Sequence, residues 1–135
     1  MGNATYAKEW LIFGKKNLIT ARRLFELDHF TDIVGAELQQ GLEKSLKSLL
    51  AYHNSPIPKT HDLSQIAYLS KDHLSFCETD FDMFDIITTY YKFDRYPNPN
   101  YFLPSKEEIE NSLIFAEYIF EKICKQLCIE IEEKL

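Results

Sequence analysis

The chain is poor in the features that mark secreted, membrane or nucleic-acid-coating proteins. It has three cysteines, Cys77, Cys124 and Cys128, an odd number that leaves no closed disulfide framework. Two of them fall four residues apart in a helical pattern, so reduced thiols are expected. No run of about eighteen apolar residues occurs, which excludes a transmembrane helix. The opening MGNATYAKEW has no apolar stretch of the kind that forms a secretory signal, and a cytoplasmic protein is expected. Positive charge is also short: 15 Lys and Arg stand against 21 Asp and Glu, a net charge of −6. That balance argues against a protein held on duplex DNA mainly through phosphate contacts. No strand signal competes with the helical periodicity described next.

What is present is enough for one core. The 135 residues are 45% apolar, with ten Phe and eight Tyr, which fits a single domain over residues 1–135. Charge divides unevenly, at +2 over 1–61, −5 over 62–94 and −3 over 95–135. An anionic ligand should therefore look to the first half, with Arg95 as an outlying candidate. The acidic half reads equally well as a solvated surface.

Along the chain, Trp10, Phe13, Asn17, Leu18, Ala21, Leu24 and Phe25 recur at threes and fours and predict a helix from about Tyr6 to Asp28. Thr31 or Asp32 can cap a second helix, from Ile33 to about His53. Within it Gly35, Ala36, Gly41 and Ser45 are small enough to let a neighbouring helix come close. Pro56 and Pro58 stop it. Asp62-Leu-Ser-Gln65 reads as a capping box opening a short helix to about Lys71, with Thr60 as the rival cap. His73 to Thr79 is a connection, and Asp80 to about Tyr91 or Asp94 a further helix. Pro97, Pro99 and Pro104 make 95–104 a loop. Ser105-Lys-Glu-Glu108 then opens the last helix, whose stripe of Ile109, Leu113, Ala116, Phe120, Ile123 and Leu127 is expected to last to the end of the chain. These segments predict an all-α fold, an antiparallel up-and-down bundle of four long helices plus one short one.

The order of Trp10, Gln39-Gln40-Gly-Leu-Glu43-Lys44-Ser-Leu-Lys47, Pro58-Lys59-Thr60-His61-Asp62-Leu63, Arg95-Tyr96-Pro97 and a long final helix resembles the HEPN domain family (higher eukaryotes and prokaryotes nucleotide-binding). The resemblance runs from about Trp10 to Leu127. It implies a helical bundle that forms homodimers and accompanies a small nucleotidyltransferase in a two-protein, toxin–antitoxin-like system, with a nucleotide or RNA as ligand. Some members are ribonucleases marked by an Arg followed after four to six residues by a His. In such a pair the guanidinium holds the scissile phosphate while the imidazole moves a proton. Here the eligible positions after Arg95 hold Asn100, Tyr101 and Phe102, and a tyrosine with a pKa near 10 is a poor base at neutral pH. Arg22 and Arg23 precede His29 by suitable counts but lie on the first helix, where the family does not carry the motif. A binding role without catalysis is therefore expected. The rivals are a metal-independent ribonuclease toxin using Arg95 with His61 or Tyr101, and an oligomerisation adaptor with no ligand.

A nucleotide or phosphate site is expected from Lys44, Lys47, Lys59, His61, Asp62, Arg95 and Tyr96, with backbone amides at the start of the short helix beside them. The plainer alternative is that Glu43 and Lys44 pair across the bundle, His61 and Asp62 fix their loop, and Arg95 ties down its own turn. Lys15, Lys16, Arg22 and Arg23 form a basic helix face whose ordinary role is solubility. His73 and Cys77 have metal-like spacing but no second ligand pair, so neither a metal nor a cofactor is expected. Cys124 and Cys128 read as small buried residues on one helical face. Tyr90, Tyr91, Phe93, Tyr96 and Tyr101 surround Arg95 as loop packing, an interface or a platform for a base.

Overall fold

The computed structural model describes residues 2–93 and 103–132. It contains α1 (Ala4–Glu26), α2 (Thr31–Tyr52), α3 (Leu63–Leu69), α4 (Glu78–Phe93) and α5 (Lys106–Leu127), and no strand among the described residues. The all-α bundle of four long helices and one short one is thus the fold that the periodicity predicts.

Helix α2 is the centre of the bundle and packs against each of the other four helices. That placement explains why it is buried on nearly every side. Val34, Leu38, Leu42, Leu46 and Leu49 face the core, and the polar Gln39, Glu43, Ser45, Lys47 and Ser48 are buried with them. A helix covered all round needs polar groups that satisfy one another, and this requirement creates the cluster described below.

The closest approach is between α1 and α2. A Cβ on Gly14 would lie 2.8 Å from Ser45 Oγ and 2.9 Å from the Gly41 carbonyl oxygen. A Cβ on Gly41 would lie 2.8 Å from Leu18 Cδ2 and 3.0 Å from the Gly14 carbonyl oxygen. The crossing therefore requires a missing side chain on both helices. It also rotates α1 away from the expected stripe: the buried face is Ala7, Leu11, Gly14, Leu18 and Ala21, while Phe13 is 58% exposed. Close backbone contact at Gly14 outweighs the larger apolar area that Trp10 and Phe13 would bury.

The caps account for most of the helix boundaries. Asp62 caps α3, accepting from Ser64 N at 3.1 Å and Gln65 N at 3.3 Å. Thr60, the rival, instead accepts from Asp62 N at 3.2 Å. Ser105 caps α5 by accepting from Glu108 N at 3.0 Å. The second helix departs from expectation. Phe30 is its N-cap and supplies no side-chain bond. Thr31 is already helical, and its hydroxyl donates to the Pro104 carbonyl at 2.6 Å, tying the start of α2 to the entry of α5. Helix α4 starts two residues before Asp80, whose carboxylate accepts from Cys77 N at 3.0 Å. Helix α5 ends at Leu127 and does not run on with the chain. Cys128 takes a left-handed conformation (φ 54°), and Ile129 N then donates to Cys124 O at 3.0 Å, a left-handed exit of the Schellman kind. No described helix is long and apolar enough to cross a membrane.

Candidate functional site

Gln39, Glu43 and Lys47 are spaced by four on α2 and so lie one above another along one face. After α2 the chain passes Pro56 and Pro58 and returns along that face, bringing His61 over Glu43 just before Asp62 starts α3. Glu43 Oε1 accepts from His61 Nδ1 at 2.8 Å and from Gln39 Nε2 at 3.1 Å, and Glu43 Oε2 accepts from Lys47 Nζ at 3.0 Å. Gln39 Nε2 also donates to the His61 carbonyl at 3.1 Å. One buried carboxylate thus gathers an amide, an ammonium and an imidazole, and the amide holds the loop as well.

The electrostatics follow from this geometry. Burial pushes the Glu43 carboxyl up, but the hydrogen bonds from His61, Lys47 and Gln39 outweigh it and leave Glu43 below the ordinary carboxylate value. Lys47 is 6% exposed, and its ammonium lies 5.9 Å from the centroid of the Trp10 ring. It is therefore committed to Glu43 and to an aromatic face. His61 is the cluster's outlet: its side chain is 47% exposed, and its ring stacks on Tyr91 of α4 with centroids 4.0 Å apart. Gln39 Oε1 is the one buried side-chain acceptor without a hydrogen-bond partner among the described residues.

The expected site residues divide. The structure joins Lys47 to His61 through Glu43 and sets Asp62 beside them as a helix cap. Lys59 is exposed on the same loop. Lys44 lies apart: its ammonium donates to Asn17 Oδ1 at 2.8 Å and sits 6.0 Å from the Phe13 centroid, on the α1 side of α2. Arg95 and Tyr96, and with them Tyr101, lie outside the described residues. Gln39 was not among the expected ligands, Tyr91 was read only as one of the aromatic group around Arg95, and Glu43 was read only as a pairing group. The available signal was the four-residue spacing of Gln39, Glu43 and Lys47 within a helix too apolar to expose them.

The other candidates have structural partners. Arg22 holds Glu117 through two hydrogen bonds, at 2.6 and 3.2 Å. His73 stacks on His53, the Cys77 sulfur lies 3.0 Å from Thr79 Oγ1, and no group of three or more His, Cys, Asp or Glu among the described residues could hold a metal ion. The two C-terminal cysteines do not share a buried face: Cys124 is buried, with burial raising its thiol to about 11, whereas Cys128 is exposed in the cap.

Fold and cluster together define a small helical-bundle protein whose central helix carries a buried acid–base network beneath a surface histidine. A family model described as HEPN domain matches residues 7–127, and the chain belongs to that family. Two solved structures share the fold. The crystal structure of TT1696 from Thermus thermophilus is 22% identical, with a TM-score of 0.76 over 89% of this chain and 97% of that one. ST0689, an archaeal HEPN homologue, is 18% identical, with a TM-score of 0.69 over 90% and 97%. At these identities the likeness is one of fold. No curated protein matches the sequence.

Proposed function

We infer that this chain is the binding member of a two-protein, toxin–antitoxin-like system, acting as a homodimer beside a small nucleotidyltransferase and taking a nucleotide at the His61 edge of the bundle. The observation that carries this reading is the Glu43–His61 hydrogen bond beneath an exposed, ring-stacked imidazole. Glu43 fixes the Nδ1 side of His61 and leaves the outer edge of the ring to meet a phosphate or a base, with Lys59 on the same loop as an exposed cation for an anionic group. A nuclease reading is less well supported. The sequence offers no histidine in register after Arg95.

The test is thermal stability and calorimetric titration with ATP, GTP and their monophosphates, alongside sedimentation and co-purification with a co-expressed nucleotidyltransferase. A dimer whose stability rises with a nucleotide, and whose affinity drops about tenfold or more in His61→Ala, is expected from loss of one charge-assisted contact. A monomer with no response to nucleotides or to the nucleotidyltransferase overturns the reading. RNA cleavage that is lost in Arg95→Ala replaces it with the ribonuclease.

A further inference from the structure

A second aromatic pair stands where α2 ends. His53, the C-cap of α2, and His73, in the connection between α3 and α4, lie ring on ring with centroids 3.5 Å apart and planes 12° from parallel. Tyr52 meets the His53 ring edge-on at 5.0 Å. Helix α5 grips the same connection from another side. Gln126 Nε2 donates to the His73 carbonyl at 2.9 Å, and Lys122 Nζ donates to the Ser75 carbonyl at 3.3 Å. Next in the chain, Phe76 packs edge-on against the buried Phe84 at 5.3 Å, with the Lys122 ammonium 5.1 Å from its own ring centroid. The α3–α4 connection is therefore held by a ring stack to α2 and by two side chains of α5. The Glu43 cluster uses none of these groups.

We propose that the His53–His73 stack is an acid-sensitive latch that holds the α3–α4 connection on the end of α2 while at least one ring is neutral and releases it when both are protonated. Two neutral imidazoles stack face to face, and one proton is tolerated because a cation over a neutral ring is attractive. A second proton puts two like charges on rings 3.5 Å apart, which disfavours the closed form. Among the described residues, the titratable Tyr52 meets the His53 ring, Lys71 and Asp72 precede His73 in sequence, and α5 supplies Lys122 together with the neutral Gln126. Burial, and then the neighbouring His73, hold His53 below the ordinary histidine value. The closed form therefore binds fewer protons than the open one. It is favoured at neutral pH and weakens as the pH falls below the ordinary histidine range.

The experiment is an NMR titration of the whole chain from neutral to acidic pH, following the histidine ring protons together with the amides of Ser70 to Cys77. The expected result is two coupled steps differing by about tenfold or more in proton affinity, with the amides of the connection moving in the second. His53→Phe keeps a ring in the stack but cannot titrate. In that variant the amides of the connection should hold still; His73→Phe gives the reciprocal check on His53. Two independent single-proton curves at the ordinary histidine value, or amide movement that persists unchanged in His53→Phe, overturns the latch.

Discussion

At the scale of single residues, Glu43 is the side chain on which the candidate site depends. Its carboxylate is the acceptor for Lys47, His61 and Gln39, and Lys47 is itself buried. Glu43→Gln is expected to lose about 3–5 kcal/mol in urea unfolding, because it leaves a buried ammonium without its counter-charge. A double substitution, Glu43→Gln with Lys47→Met, should recover most of that loss, since removing both charges removes the penalty. If the single and double variants were equally unstable, the pair would not be the source. The glycines make a second case. Gly41→Ala gains helix propensity, yet the added methyl meets Leu18 and the backbone of Gly14, so a net loss of about 1–3 kcal/mol is expected from overpacking. Thermal unfolding of Gly41→Ala and Gly14→Ala checks it, and a variant more stable than the parent would show that the crossing can open at little cost. Both cases were half visible in the chain. Gly41 stood out as small and Glu43 as a polar member of a dry helix, but neither partner could be read without the crossing.

At the scale of elements, the start and end of α5 allow opposite predictions. Ser105→Ala removes the bond to Glu108 N and should cost about 1 kcal/mol. Cys128→Gly should raise stability by roughly 0.5–1 kcal/mol, because a side-chain-bearing residue now occupies the left-handed position at φ 54° and glycine enters that region freely. Chemical denaturation of the two variants should bracket the parent; movement in the same direction would mean that the ends of α5 do not limit stability. Elements were the most legible level. Periods of three and four marked the helices, and Asp62 and Ser105 acted as caps because a short side-chain oxygen needs only its own chain to find an amide. The failures have a common cause. Thr31 left its capping role for the Pro104 carbonyl, and the stripe of α1 turned to bring Gly14 inward. In both, a contact with a distant element outweighed a local preference.

For the whole molecule, the shifted groups predict loss of stability toward acid in two stages. His53 is held below the ordinary value of 6.5, so the unfolded chain binds a proton first and stability declines as the pH falls through that range. Glu43 is held below 4.5. Its contribution is complete above that value and is lost as the pH falls through the lower folded value. The urea midpoint should therefore drop modestly between about pH 7 and 5.5 and more steeply below about 4.5; His53→Phe should flatten the upper stage and Glu43→Gln the lower. A midpoint unchanged from about pH 7 to about pH 3 would remove both assignments.

The sequence by itself determined the all-α class, the number and approximate limits of the helices, the two strong caps and the proline-bounded return after α2. Each is set by interactions within a few residues, namely amphipathic spacing, missing amide donors and side chains that reach their own backbone. Only the tertiary structure decided which polar residues of α2 work together. It separated Lys44 from Lys47 by turning one toward Asn17 and the other toward Glu43, set His61 on Tyr91, and paired His53 with His73. Apart from the Lys47–Glu43 pair, these contacts join residues far apart in the chain. Their geometry follows from how closely α1, α4 and the return loop approach α2, a property of packing that no local pattern encodes.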